Sequence, residues 1–279
     1  QVNESAVREA TLKHGEAMQM GIEVEVRYPA QGVKQLLSEM DGMFVPIVRM
    51  EGNGDRRKQR VCEYGEAKLC LAGQVGAVQR RYRGTMGKAE AAGKMWKACV
   101  VESGGGAETE LHCVGDGAKC IEAQMKRRLG GKAKYLVDFY HLSDYLAEAG
   151  EALRGKDGGK WLREQQARLK GNEVKKVLEE MRERQEGVEI EEVNAPIRRC
   201  YRYLWERREV VDYEGAIEKG FPIGSGEIES GNKSVLQARL KIAGAWWKVE
   251  NAEKMIGVRT NRANQEWESY WKQQRIATA

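Results

Sequence analysis

No part of this chain is apolar for long. The longest run, Met43–Val48, is six residues, against the roughly 20 that a membrane-spanning helix needs, so no helical span is expected. Cysteine is sparse as well. Cys62, Cys70, Cys99, Cys113, Cys120 and Cys200 are scattered with no CxxC pair, too thin a set for a disulfide scaffold in 279 residues, and reduced thiols in a cytoplasmic protein are expected. His112, Cys113, Cys120 and His141 match no usual zinc spacing. No basic-then-apolar leader follows Gln1, so no targeting segment is expected. The glycines of GSGEIESG at 224–231 fit neither GxGxxG nor a Walker sequence, which argues against a nucleotide cofactor. Four prolines against 32 glycines allow many turns and few rigid breaks.

What is present is a chain able to fold. Hydrophobic residues make up 41%, enough for a buried core, and charged residues 32%. The net charge of +5 permits an anionic partner such as nucleic acid without requiring one.

The hydrophobic pattern divides into short strands followed by helices. Residues 1–35 read as helix. Met40–Met50 is apolar and β-branched and precedes the turn former EGNGD at 51–55, which predicts a strand and a loop. Arg60–Leu71 and Gly76–Tyr82 read as two further strands of an antiparallel meander. Met86–Val101 is Ala-, Lys- and Met-rich and ends at the glycines 104–106, a helix; Leu111–Gly115 is a strand, 118–129 a helix and 134–139 a strand. The order β-β-β-α-β-α-β is the α/β succession of an RNase H-like core with a mixed sheet, although periodicity alone leaves other α/β folds open. From His141 to about Glu218 the chain is charged and helical, a helical insertion whose charges read as solvated helix faces. A last helical stretch runs from Glu227 to Lys272 with a break near Ala243-Gly244.

Three carboxylates stand where hard-oxygen metal ligands could serve phosphoryl transfer. Asp41 opens the first strand, Asp116 follows the fourth, and Glu229 lies in the first turn of a helix introduced by PIGSGEIES. A plainer reading stands beside this one. Asp-Gly is a common turn pair, Glu227 and Glu229 suit a helix start with Ser225 as cap, and Glu229 can pair with Lys233 one turn on.

The segments YRGTMGKAEAAGKMW (82–96), VGDGAKCI (114–121), YLVDFYHLSDYL (135–146) and the long block from Phe221 to Trp271 resemble bacterial insertion-sequence transposases of the Kra-four group. These are DDE-superfamily relatives of the Mutator-like transposases. The resemblance implies a catalytic, metal-binding triad of Asp41, Asp116 and Glu229, using Mg²⁺ or Mn²⁺ as two ions. Asp138 and His141, in DFYH, match the acid-or-cysteine, two residues, histidine signature of the Mutator-like relatives and are accessory candidates. Asp138 is the rival for the second acid and Glu227 for the third. His141 reads equally as a structural histidine at a strand end or as a DNA contact.

Residues 232–275 hold nine Lys and Arg against four acids, a surplus equal to that of the whole chain. A basic helix of this kind suits backbone phosphates of double-stranded DNA, at transposon ends and target alike. Lys233, Arg239 and Lys241 are the best candidates, and Trp246 and Trp247 either stack on an unpaired base or fill an interface with the core. The expected organisation is a helical segment at 1–35 that ends a missing N-terminal region, a core at 36–141, a helical insertion at 142–218, and a catalytic helix with a basic tail at 219–279. The resemblance implies DNA cleavage and strand transfer by a homo-oligomer on DNA in the bacterial cytoplasm, at the nucleoid. The alternatives are a catalytically inactive DNA-binding remnant and a host nuclease of the same fold.

Overall fold

Strand pairing begins earlier in the chain than the apolar pattern suggests. In the computed structural model, which describes residues 3–51 and 59–278, β1 (Gln35–Met50) and β2 (Arg60–Gln74) form a long antiparallel ladder from Leu36↔Gln74 to Met50↔Arg60. Leu36 and Leu37 are fully buried and draw the strand back to Gln35, so Asp41 lies inside the strand and does not open it. The loop expected at 51–55 lies, beyond Glu51, outside the described residues. β3 (Arg81–Thr85) joins β2 in antiparallel register from Lys68↔Thr85 to Ala72↔Arg81. It starts five residues after the expected Gly76 because Gly76 turns the chain at φ +79°.

The remaining strands, β4 (Glu110–Gly115) and β5 (Ala133–Val137), complete one mixed five-stranded sheet in the order β3-β2-β1-β4-β5. With α2 (Ala89–Glu102) and α3 (Lys119–Arg128) between strands, this α/β arrangement is compatible with the RNase H-like succession. The chain divides into two compact units: Gln1–Leu111 with Ala123–Ala133 and Gly226–Ala279, and His112–Glu122 with Lys134–Ser225.

In the first unit, α1 (Glu4–Met20) starts at Asn3, whose side-chain oxygen accepts the Ala6 N–H at 2.8 Å. It stops at Gly21, and residues 22–34 are not helical, contrary to the expectation of helix to residue 35. Ile22, Val24 and Val26 are β-branched and Pro29 follows, a composition that disfavours helix. α9 (Gly226–Gly231), a π-helical turn at Asn232–Gln237 and the short α10 (Ala238–Leu240) run on from one another. After a break come α11 (Val249–Ala263) and α12 (Trp267–Thr278). α1 lies hard against α11, where any Cβ on Gly15 would stand 2.3 Å from the Lys254 carbonyl oxygen. Val45, Ile47, Leu69 and Leu71 of the sheet pack with Ile228, Leu236, Leu240 and Ile256 of these helices into one core.

The second unit carries α4 (Phe139–Arg154), α5 (Gly158–Lys170), α6 (Val174–Arg182), α7 (Pro196–Arg207) and α8 (Tyr213–Glu218). Pro196 sits at the start of α7, where its fixed φ suits the helix and its missing N–H costs nothing. Leu142, Leu146, Leu169, Met181, Leu204 and Tyr213 are buried in this unit. Among the described residues no helix is long and apolar enough to cross a membrane, and all six cysteines are free thiols.

Candidate active site

In a strand, residues two apart face the same side, and β1 presents Glu39 and Asp41 in that way. Glu39 is completely buried and its Oε2 accepts the backbone N–H of Ile228 at 2.7 Å. Asp41 is half-buried; its Oδ1 accepts the Gly42 N–H at 2.7 Å and its Oδ2 accepts Nδ2 of Asn232 at 2.8 Å. Ile228 and Asn232 are one helical turn apart, so two acids of β1 hold one face of the helix that carries Glu229. The sequence reading misses both Glu39 and Asn232. An acid two residues before Asp41 in a strand is the available signal for Glu39, whereas Asn232 needs the register of the following helix.

The two glutamates of α9 have different fates. Glu227 is taken by Arg80, which reaches it through Nε and also through Nη2 at 2.7 Å. That hydrogen bond, against the opposing effect of burial, raises the Arg80 pKa above its ordinary value. The rest of the Arg80 fork is spent on the carbonyls of Gln74, Ala77 and Gln79. Glu229 is exposed and makes no hydrogen bond or ion pair among the described residues, and the pairing with Lys233 considered from sequence does not form.

A similar division separates the two aspartates of the second unit. Asp138 follows β5 and does not lie on it; it is the N-cap of α4. It is 2% exposed. Its Oδ1 accepts the N–H groups of Tyr140 and His141 at 2.6 and 3.0 Å, and its Oδ2 accepts the N–H of Ser225 at 2.6 Å as well as the Ser225 hydroxyl. Both oxygens are filled. Ser225, weighed from sequence as a helix cap, thus donates its hydroxyl to Asp138. Asp116 follows β4 as expected, half-buried, with Oδ1 accepting the Ala118 N–H at 2.8 Å. Its Oδ2 receives no hydrogen bond among the described residues.

The loop of Asp116 is clamped by α7. The Tyr203 hydroxyl donates to the Asp116 carbonyl at 2.5 Å, Arg207 Nε donates to the Gly117 carbonyl at 2.8 Å, and the Gly117 N–H donates to the Tyr135 hydroxyl at 3.0 Å. Gly117 is at φ +81°, and an added Cβ would lie 2.5 Å from Arg207 Nε, so this position demands glycine. Burial, and more weakly the Asp116 charge, pushes the Tyr135 and Tyr203 hydroxyls above the usual tyrosine range and keeps both protonated, Tyr203 as the donor to Asp116 and Tyr135 as the acceptor from Gly117. His141 lies in the first turn of α4, not at a strand end, with its ring edge-on to Tyr145 and Tyr203.

Of the basic candidates, Lys233 and Lys241 are exposed and form no ion pair among the described residues. Arg239 lies over the Trp247 ring at 4.9 Å. Trp247 is committed to structure: its N–H donates to the Pro46 carbonyl at 3.0 Å, its carbonyl accepts the Val48 N–H at 2.8 Å, and Nε1 donates to the Leu240 carbonyl at 3.1 Å. Trp246 is half-buried, 6.2 Å from the Tyr64 ring and 5.9 Å from the Arg60 guanidinium. Arg259, another cation of the tail, is occupied by the carbonyls of Ser234 and Val235 in the π-helical turn, at 2.7 Å each.

Among the described residues, no three His, Cys, Asp or Glu side chains form a metal-sized group. The donor chemistry nonetheless suits a hard divalent cation. Beside Asp41, the amide oxygen of Asn232 is buried without a hydrogen-bond partner, and carboxylate and amide oxygens are the donors that Mg²⁺ and Mn²⁺ accept.

No model of a known protein family matches the chain, and no curated protein matches it. Among solved structures it is similar to the Drosophila P element transposase strand transfer complex, at 10% sequence identity and a TM-score of 0.26, over 98% of this chain and 80% of that one.

Proposed function

We propose that this chain is the catalytic core of a DDE-type insertion-sequence transposase, with Asp41, Asp116 and Glu229 as its acids. One observation carries the reading beyond the sequence resemblance. At each of the two positions where sequence leaves rivals, the rival acid is consumed by structure, Glu227 by Arg80 and Asp138 by Ser225 and its own helix, while Glu229 and one oxygen of Asp116 stay uncommitted. Asp41, Asp116 and Glu229 would hold Mg²⁺ or Mn²⁺. Bound divalent cations supply charge stabilisation of the attacking and leaving oxygens in an in-line displacement at phosphorus.

The other residues serve that task by placement. Asn232 orients the Asp41 carboxylate, Glu39 seats the helix of Glu229, and Tyr203 with Arg207 fixes the backbone of Asp116. The exposed Lys233 and Lys241, with Arg239, take DNA phosphates, and Trp246 is the aromatic available for an unpaired base. In the first reaction water breaks a phosphodiester at the element end and leaves a 3′ hydroxyl. In the second, that hydroxyl attacks a target phosphodiester, so one P–O bond forms as another breaks and the target 3′ oxygen departs as a hydroxyl. The working form on DNA is a homo-oligomer.

The test is a cleavage and strand-transfer assay on DNA bearing the element's own ends, with Mg²⁺ or Mn²⁺. The parent cuts and joins, and Asp41→Ala, Asp116→Ala and Glu229→Ala do neither. An Asp41→Ala chain that cut as fast as the parent would overturn the assignment. DNA binding with no metal-dependent nicking by the parent would identify a binding remnant.

A further inference from the structure

The sequence pattern makes α7 of the second unit part of a solvated charged region. Three of its four arginines are instead gathered around a pocket of about 300 Å³ that opens on Asp116 and is lined by Arg199, Arg202, Arg207 and His141. We propose that this pocket is a binding site for the phosphodiester backbone of a DNA strand, with Arg199 and Arg202 as its phosphate ligands. The inference rests on the reading of the chain as a DNA-processing protein.

The aromatic rings of the pocket select the ligand class. Tyr145 and Tyr203 stack on each other with centroids 4.3 Å apart and planes 15° from parallel. Arg207 covers Tyr203 at 4.0 Å, and Arg199 stands 5.9 Å from the centre of Tyr145. Tyr203 therefore has no open face for a base. A guanidinium stacked on a ring keeps its in-plane N–H donors, and these are shaped for the paired oxygens of a phosphate.

The arginines also differ in how readily they can be recruited. Arg207 is spent on the carbonyls of Gly117 and Tyr203. Arg202 is paired with Glu192, both side chains about half exposed, and Arg199, 25% exposed, with Glu148, 55% exposed. Exposed ion pairs of this kind are worth little in water, so a phosphate can take the place of either glutamate at small cost. Glu206, the other acid beside Asp116, is engaged by Lys119 at 2.8 Å. Arg199 and Arg202 are left as the exchangeable cations facing the pocket.

Binding of the full chain to a fluorescent 30-base-pair duplex, in EDTA and across a range of salt, tests this without any cleavage. Arg199→Ala/Arg202→Ala should bind more weakly and lower the slope of log K against log salt by roughly 1.8, about 0.9 for each phosphate no longer neutralised. Lys156→Ala/Lys160→Ala removes the same charge from exposed positions of the same unit outside the pocket and should keep the parent slope. Arg202→Gln, a change at an exposed side chain, repeats the measurement if the double variant loses its parent circular-dichroism spectrum, with an expected drop of roughly 0.9. An unchanged slope in folded pocket variants, or an equal drop in the lysine control, overturns the proposal. If the parent cuts DNA while the pocket variants keep the parent slope, this inference fails and the catalytic reading stands. If the pocket variants lose slope in a chain that never cuts, the catalytic reading fails and this inference stands.

Discussion

The hydroxyl of Tyr203 on α7 donates to the backbone carbonyl of Asp116 at 2.5 Å, across 87 residues of chain. A helix that holds none of the three proposed catalytic acids thereby sets where one of them stands. Tyr203→Phe keeps the ring stack and deletes only this bond. Its expected cost in stability is that of one buried hydrogen bond, about 1 kcal/mol. The cleavage rate should fall on the order of tenfold, equivalent to about 1.4 kcal/mol in the barrier, with the affinity for DNA unchanged. Single-turnover cleavage and binding titrations on the same variant separate the two effects.

Asp116 and Asp138 should respond in opposite ways to the same substitution. Asp138→Asn replaces an acceptor of four hydrogen bonds with a group that has two donors of its own, leaving buried N–H or O–H groups unmatched. A loss of about 2–3 kcal/mol is expected. Asp116→Asn should leave the melting temperature near the parent's and abolish cleavage. Thermal denaturation paired with the cleavage assay reads both.

At the third acid, Glu229→Gln should eliminate cleavage without changing stability. Glu227→Gln should retain cleavage and cost about 1 kcal/mol, because Arg80 keeps its three carbonyl partners. Loss of cleavage in Glu227→Gln alone would exchange the roles of the two residues.

Acid should weaken the first unit through Glu266. Burial alone would raise its pKa, but hydrogen bonds and charges from Arg83 and Arg81 outweigh that and hold it below the ordinary glutamate value. A depressed folded pKa stabilises above the unfolded value, about 4.3, and the contribution disappears as pH falls through the folded value. Melting curves should therefore drop below about pH 4, and the parent should lose more over that interval than Glu266→Gln. Equal losses would place the acid sensitivity elsewhere.

Thiol chemistry offers an independent check on the fold. Cys62 and Cys120 are exposed, while Cys70, Cys99, Cys113 and Cys200 are buried. Burial pushes Cys99 and Cys200 up to about 12, so neither supplies thiolate at neutral pH. A thiol reagent should label two cysteines in the native chain and six after denaturation.

The strands and the helical middle region can be located in the sequence, and the acids 41, 116 and 229 singled out as candidates, because each rests on local pattern: alternation, charge density, or an acid beside a turn. The misplacements have local causes of their own. KYLVDF is apolar to its end, which carries the expected strand through Asp138, although an Asp before a helical run is also a cap signal. The start of β1 is hidden because Leu36 and Leu37 are adjacent, which masks a period of two. Asn232, Tyr203 and Arg207 leave no trace of their roles in the sequence. Each acts on a residue more than 85 positions away, and no local pattern carries that information.

The hydrogen bonds of Asp138 also bear on how this architecture could be taken apart. The Phe139 N–H meets the Ile223 carbonyl at 2.9 Å, the His112 side chain meets the Pro222 carbonyl at 2.7 Å, and Ser225 closes on Asp138. The chain leaves for its helical excursion and returns to the same spot, so 139–222 is a detour with a shared doorway. Separating the two ends of the excursion would break these bonds together, so its entry and exit are held as one junction.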